Sequence, residues 1–549
     1  MGGERVFDVV IVGGGHNGLT AASILARRGL SVALLEASER LGGLSASYTP
    51  WPGFTAPLGA YVLGLYPRWL MREAGIEGRI RLLPKEPGMT VVLGGGRALR
   101  VYGDAGRTSR EFSRVSPADG RAYLGWARLW SALGVLLEEI YSHPPLHPRE
   151  AIEHVYRAAR TPLVGRIVEE ALEAAQWMLT APASRILGEW FESWEARAAL
   201  VEDALVGEMA GPSTPGTGIV LAHHYLGVST GRRGEWAYVQ GGMGRLALAL
   251  AEAAAGAGAS VEAGSRVEEV MVSGGRAVGV RTSDGRVYRA RRAVVWAASV
   301  KALPAVAELE KGLARRIRSL ESSGASSKII LAVKGPLRPR REYSWLGEDL
   351  YRSSVVTMPG MEYAEKAYGD ALSRGVSREP WLSINVLNLV DPSLAPEGWS
   401  LASIFLQYTW RRARRWGEED RAEVGERGLQ VLEGVFSLPR EGVRSEVLTP
   451  RDYEALGNPG GSIFHISMRL DQLYSSRPLP EASDYRVPGV EGLYLASASS
   501  HPGGGVSGLP GWLAARRLLE DLGVERPRRL SLEKLAVKMA RSAREILGP

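Results

Sequence analysis

Three glycines at the spacing Gly13-x-Gly15-x-x-Gly18 stand between an apolar β-branched run, Arg5 to Val12, and a helical pattern, Leu19 to Arg28. A second apolar run, Leu30 to Glu36, comes next and ends on an acid 18 residues beyond the last glycine. Strand, turn, helix and strand within about thirty residues make a parallel unit, because a helix carries the chain between neighbouring parallel strands. Gly13 then permits the tight turn, Gly15 lets backbone N–H groups approach a pyrophosphate, and Gly18 lets the helix pack closely. The helix N-terminus adds partial positive charge, and Glu36 accepts hydrogen bonds from a ribose. The spacing predicts a dinucleotide site containing Gly13, Gly15, His16, Asn17, Gly18, Glu36 and Ala37, with a plain glycine-rich turn as the alternative.

The rest of the chain is long enough to build around such a unit. It has 549 residues, 45% hydrophobic and 23% charged, values of a folded globular protein. That length suits about three domains, or one cofactor domain with insertions. The 67 basic and 60 acidic residues leave a charge of only +7 over the whole chain, so no nucleic-acid partner is expected. Without cysteine there is no disulfide framework, thiolate metal site, redox dithiol or cysteine nucleophile, which fits a cytoplasmic protein. The N-terminus lacks the pattern of a secretory signal, and no window of about 18 uncharged apolar residues predicts a transmembrane helix. Only eight of the basic residues are lysine, and asparagine and glutamine are scarce. Such a bias fits a thermophilic source, or equally GC-rich coding.

Long amphipathic stretches, Ala122 to Ile140 and Ala151 to Met178, fill the region from about Ser109 to His224 and read as helices. A glycine-rich segment, Gly231 to Gly244, leads into a helix (Arg245 to Ala257) and strands at Ser260 to Glu262, Arg266 to Val272, Ala277 to Thr282, Val287 to Ala290 and Ala293 to Ala297. Ser273-Gly274-Gly275 and Ser283-Asp284-Gly285 are hairpin turns between them. Ser326 to Val333, Trp381 to Leu389 and Ser400 to Gln407 are β-rich, and Glu418 to Phe436 is helical. A strand at Leu493 to Ala498, a glycine-rich loop and a helix from Trp512 to Leu522 precede a basic amphipathic tail.

The residues just after the ribose acid separate FAD from NAD. Arg40-Leu41-Gly42-Gly43 resembles the extended motif of FAD-dependent amine oxidases and carotenoid desaturases, in which a second glycine loop with an arginine closes over the pyrophosphate. An ordinary helix-start charge is the other account of Arg40. Glu235 to Gly244 and the strand around Val267 resemble the return to the FAD domain in that superfamily, which implies backbone contacts from Val267 to the adenine. Gly492 to Gly511 (GLYLASASSHPGGGVSGLPG) is similar to the C-terminal motif of phytoene desaturase-like flavoproteins. Its His-Pro-Gly-Gly-Gly-Val-Ser-Gly core is closest to the branch known as pyridine nucleotide-disulfide oxidoreductase domain proteins. The resemblance implies that Ser497, Gly505, Val506 and Ser507 lie beside the flavin, with a helix N-terminus favouring the charge that develops on flavin reduction. Asn458 to His465, Leu470 to Leu473 and Arg477-Pro478 resemble the same branch. Ala496-Ser497 stands where many flavoproteins have Gly-Asp, and Pro57 where many desaturases have an acid. A disulfide reductase is excluded, since there is no redox cysteine pair and no second nucleotide fingerprint.

The resemblance implies an α/β protein with a Rossmann-like FAD-binding domain, discontinuous in sequence (1–75, 235–300 and 485–525). Around it lie a mixed β-sheet plus helical substrate domain (76–234 and 301–484) and the basic tail (526–549). Lys328 falls on a strand where amine oxidases place a lysine that holds a water near the flavin, and an edge-strand lysine is the alternative. His501 and His465 are further candidates for touching flavin or substrate. His223-His224 and His143/His147 lack metal-site spacing, so no metal site is expected. The expected function is FAD-dependent hydride transfer with an apolar isoprenoid or lipid-like small molecule. A flavin amine oxidase and a non-catalytic flavin-bearing interaction protein are the other two readings. The tail and the Arg411-Arg412-Ala413-Arg414-Arg415 run suggest a peripheral contact with an anionic membrane, against which stands a solvated helix face.

Overall fold

A computed structural model describes residues 4–145, 177 and 179–527. Residues 151–176 and 178 of the expected helix Ala151 to Met178, His147 and the basic tail from residue 528 onward lie outside the described residues.

The strand Arg5–Val12 sits in the middle of a seven-stranded sheet. Its neighbours are Val32–Leu35 on one side and Val287–Trp296 on the other, both parallel, with Val10 facing Ala33 and Val294. Ser260–Glu262 extends the sheet beyond Val32–Leu35. Val267–Ser273 and Arg276–Thr282 form antiparallel ribbons on the far side, and Leu493–Leu495 adds a parallel strand to the end of Val287–Trp296. From Val9 to Val12 the run is apolar and buried at every position because both faces are covered. Val9 and Ile11 face one core, with the helices His16–Arg27, Gly244–Gly256 and Leu509–Asp521; Val10 and Val12 face a second, with Val300, Leu303, Leu313 and Ile317. Truncating Ile11, which is fully buried, to alanine would cost about 2–5 kcal/mol.

Val287–Trp296 is one strand where the pattern suggested two broken at Arg291-Arg292. Its first half pairs with the ribbon and its second with Leu493–Leu495, while the two arginines lie exposed, 3.9 and 3.5 Å from Asp8. Gly274 and Gly275 have φ of 58° and 76°, the backbone that a two-residue hairpin turn requires.

The second sheet also has seven strands, in the order Val443–Leu448, Ser326–Lys334, Trp399–Thr409, Val376–Val386, Ser354–Thr357, Met89–Gly94 and Arg97–Val101. All its pairings are antiparallel except that of Ser354–Thr357 with Met89–Gly94, so the sheet is mixed. The 25-residue helix Pro117–Tyr141 packs on the helices Ala105–Ser113, Ala183–Trp190 and Thr217–His224 and is begun by Ser116, whose Oγ accepts from the Asp119 N–H at 3.1 Å. This helix buries Trp126 and Trp130, which pack on Phe191 and Tyr225. Among the described residues no helix is long and apolar enough to cross a membrane.

Candidate functional site

A single cavity of about 1540 Å³ runs from the glycine turn of the first sheet to the second sheet and the long helix. Gly13, Gly15, His16, Asn17, Glu36, Ala37, Gly42, Gly43, Val267, Lys328, His465, Gly505 and Val506 all line it. Residues spread over almost the whole chain therefore meet at one surface.

At the cofactor end the walls are backbone. A Cβ on Gly13 would stand 2.9 Å from the Ala298 nitrogen and one on Gly18 2.0 Å from the Gly13 carbonyl oxygen, so both glycines are set by close packing. Gly15 differs, since no protein atom lies within 4 Å of where its Cβ would be. The space beside Gly15 suits a ligand approaching the bare amides of the helix His16–Arg27, which has no side-chain cap. The second glycine loop bonds to the first, Gly42 N–H donating to the Gly14 carbonyl at 2.7 Å. Glu36 accepts from the N–H groups of Gly14 (2.6 Å) and Ser38 (2.8 Å), which aims its carboxylate along the cavity wall. His16 Nε2 and Asn17 Oδ1 are buried without a partner, as expected of groups turned toward a ligand. Two bare glycine loops, an acid at the strand end and these polar atoms fit FAD, which Gly13, Gly15, Glu36, Gly42, Gly43 and Val267, all lining the cavity, would hold.

The last helix begins at the same place. A Cβ at Gly511 would lie 1.9 Å from the Asn17 carbonyl oxygen, so the helices Leu509–Asp521 and His16–Arg27 touch at their N-terminal ends. The preceding loop is held by Arg477, which is fully buried. Its guanidinium donates to the carbonyls of Phe464, Ile466, Ser467, Gln472 and Ala498 at 2.6–3.1 Å. Burial lowers its pKa to about 9, against the pull of Glu208. Glu208, itself pushed up by burial to about 7, accepts from the Met468 N–H at 2.7 Å.

Three expected cofactor contacts, Arg40, Ser497 and Ser507, do not line the cavity, whereas Gly18 has the packing role its spacing predicts. Arg40 does not line the cavity; its guanidinium lies over the Tyr48 ring, 5.8 Å from the centroid. Ser497 accepts from the Ser499 N–H at 3.1 Å and Ser507 from the Leu509 N–H at 3.3 Å, so both hydroxyls serve their own turns. Gly18 acts through packing, behind the lining residues. Among the catalytic candidates, His501 is also set back from the cavity. Its Nε2 donates to the Ile140 carbonyl at 3.2 Å and its ring stands edge-on to Tyr141 and Tyr474. His465 does face the cavity, at φ 65°, and burial drops its pKa to about 3.

Lys328 lies on the strand Ser326–Lys334, inside the sheet between Trp399–Thr409 and Val443–Leu448, and is 1% exposed. Its Nζ donates to the Gly59 carbonyl and to Ser403 Oγ (3.1 Å), and sits 4.8 Å from the centre of the Tyr61 ring. Burial lowers its pKa to about 7.

The sequence reading missed the polar groups deeper in the cavity. Lys85, Glu202 and Asp203 line it, and Lys85 Nζ donates to Ser354 Oγ at 2.6 Å. His223 also lines it, with Nε2 donating to the Gly504 carbonyl at 3.0 Å and so fixing the loop before Gly505. The only signal available was that lysine is rare here, eight among 67 basic residues, and two of the eight face this cavity.

Three of the four arginines in the Arg411–Arg415 run form ion pairs. Arg411 meets Glu454 at 2.6 Å, Arg412 meets Glu321 at 2.6 Å, and Arg414 meets Asp420 and Glu423 at 2.7 and 2.8 Å.

Comparison with known proteins gives the family. Residues 18–519 match the family described as flavin containing amine oxidoreductase. Pyridine nucleotide-disulfide oxidoreductase domain-containing protein 2 of Mus musculus is 33% identical over 555 residues, covering 94% of each chain. A lycopene-forming phytoene desaturase of Pseudescherichia vulneris is 24% identical, covering 94% of this chain and 99% of its own. Putrescine oxidase bound to putrescine shares the fold at a TM-score of 0.56 and 17% identity, over 95% of this chain and all of its own. With the glycine loops, ribose acid and C-terminal helix assembled around one cavity, the chain belongs to the flavin-containing amine oxidoreductase family and is an FAD-dependent oxidoreductase.

Proposed function

We propose that the protein removes a hydride from a C–H bond of a largely apolar, elongated small molecule of isoprenoid or lipid type, or delivers one to an unsaturated carbon of it. The observation that carries this reading is the continuity of the cavity, in which the glycine loops and Lys328 share one lining with Trp130, Val135, Val206, Phe405 and Phe464. Such a wall holds an apolar body by removing its surface from water, about 25 cal/mol for each Å² buried. FAD supplies the two-electron hydride chemistry when bound. The chain's own part is to orient the substrate, exclude water and place a proton. Lys328, buried and neutral above about pH 7, holds the proton released as a C–H bond opens. The likeness to a phytoene desaturase supports the substrate class.

The second reading, oxidation of an amine, draws on the same lysine and on the fold shared with putrescine oxidase. Anaerobic mixing of the FAD-loaded protein with isoprenoids and with amines separates the two. Bleaching of the flavin band by an isoprenoid is the expected result. Bleaching by amines alone, with its rate lost in Lys328→Met, would establish the amine reading instead.

A further inference from the structure

Lys85, Glu202 and Asp203 come from separate parts of the fold and meet in the cavity. Lys85 directly follows the short strand Leu82–Pro84, whose partner is Ala237–Val239. Glu202 and Asp203 open a 3-10 turn at the end of the helix Trp194–Val201. Lys85 and Glu202 are each 6% exposed, yet both line the cavity. Beyond Lys85 a chain of hydrogen bonds fixes the geometry: Nζ to Ser354 Oγ at 2.6 Å, then Ser354 Oγ to Asn385 Oδ1 at 2.7 Å, which also accepts from Tyr238 OH at 2.9 Å. Tyr61, between this cluster and Lys328, donates to Ser383 Oγ at 3.2 Å. A cavity intended for a pure hydrocarbon would have to bury these groups facing nothing polar, which is costly.

The charges narrow what the cluster can receive. Tyr61, Tyr123 and Tyr225 surround the acids, and burial raises all three phenols, so they are neutral. Burial and the neighbouring Asp203 push the Glu202 carboxyl well above its usual range, and burial lowers Lys85 to about 8. One basic and two acidic side chains thus line the same cavity. The cluster offers donors and acceptors together. An ammonium would meet the like-charged Lys85 and a carboxylate the two acids, whereas a hydroxyl or carbonyl can meet both kinds of group.

We propose that Lys85, Glu202 and Asp203 form a head-group site for an uncharged oxygen function, a hydroxyl or carbonyl, on an otherwise apolar substrate. The proposal rests on the apolar-substrate reading above and makes it narrower: the substrate is an oxygenated molecule and not a bare hydrocarbon. Lys85 donates to its oxygen, and Glu202 and Asp203 accept from a hydroxyl.

The test is binding to the FAD-loaded protein, read from perturbation of the flavin spectrum, with four probes sharing one chain: farnesol, farnesene, farnesylamine and farnesoic acid. Farnesol should bind at least tenfold tighter than the other three. Glu202→Leu and Lys85→Met, each checked for retained FAD and far-UV circular dichroism, should bring farnesol to within twofold of farnesene and leave farnesene unchanged. Because either variant suffices, loss of one to misfolding leaves the other decisive, and the wild-type ranking stands independently of both. Equal binding of farnesol and farnesene would overturn the head-group site while leaving the apolar-substrate reading intact. Tighter binding of the amine or the acid would overturn it in favour of a charged head. If none of the four binds to protein that retains FAD, the apolar-substrate reading falls and the head-group site with it.

Discussion

At one end of the cavity Gly13, Gly15, Gly42 and Gly505 leave backbone exposed to a ligand, whereas at the other Lys85, Glu202, Asp203, Tyr61 and Lys328 face it with side chains. The first surface is made by turns whose shape depends on the absence of a Cβ. It comes mainly from short stretches following the strand ends of one sheet. The second is made by groups whose chemistry depends on being buried, contributed by strands and turns remote in sequence. The difference teaches why such a fold can keep one cofactor and change its substrate: backbone contacts constrain few side chains, while the substrate end can be rewritten residue by residue.

The largest expected effect falls on the element that joins the two ends. Arg477→Gln would leave most of five buried carbonyls without a donor, and should lower stability by about 3–5 kcal/mol with loosened FAD, measured by chemical unfolding and flavin release. A loss under about 1 kcal/mol would contradict the role given to that arginine.

Lys328 sharpens the contrast from the substrate side. Its pKa is about 7 in the folded protein against the ordinary 10.5. Below pH 7 both states carry the charge and burial costs its full amount; between pH 7 and 10.5 only the unfolded chain binds the proton, so stability rises with pH. From pH 7 to pH 9 the wild type should gain about 2–3 kcal/mol relative to Lys328→Met, from paired unfolding curves. Parallel curves for the two proteins would mean that the lysine is not buried as charge. In the same variant, flavin reduction should lose its rise through about pH 7, whereas an unchanged pH profile would remove Lys328 from proton handling.

The smallest effect belongs to the surface. Arg412, half exposed and paired with Glu321, should change stability by at most about 1 kcal/mol when replaced by glutamine, and sedimentation with anionic vesicles should not change. Vesicle binding lost in Arg412→Gln would show that the run serves a membrane contact after all.

The same contrast explains what could be read from the sequence. Gly13, Gly15, Gly18 and Glu36 were legible because their spacing is local, and a strand of alternating core faces such as Val9 to Val12 announces itself as a continuous apolar run. The C-terminal glycines were legible as a motif, but the partners of that motif were not. His501 looked like a site residue and packs on Tyr141 and Tyr474, while His223, set aside as an ordinary histidine, holds the Gly504 carbonyl. Arg40 had the right neighbours in sequence and turned onto Tyr48. The strands Met89–Gly94, Arg97–Val101 and Ser354–Thr357 are short, and only tertiary pairing sets them in the sheet. Lys85 and Glu202 are 117 positions apart and share no periodicity, so nothing local could join them.

Gly15 tests the central claim most directly, because no protein atom lies within 4 Å of where its Cβ would be and only a ligand could meet it. The measurement is FAD affinity of Gly15→Ala, by titration of the cofactor-free protein, alongside its thermal unfolding midpoint. The account predicts an unchanged midpoint for the cofactor-free protein and FAD binding weakened by about tenfold or more. Wild-type FAD affinity in Gly15→Ala would contradict a cofactor held against bare backbone at this turn.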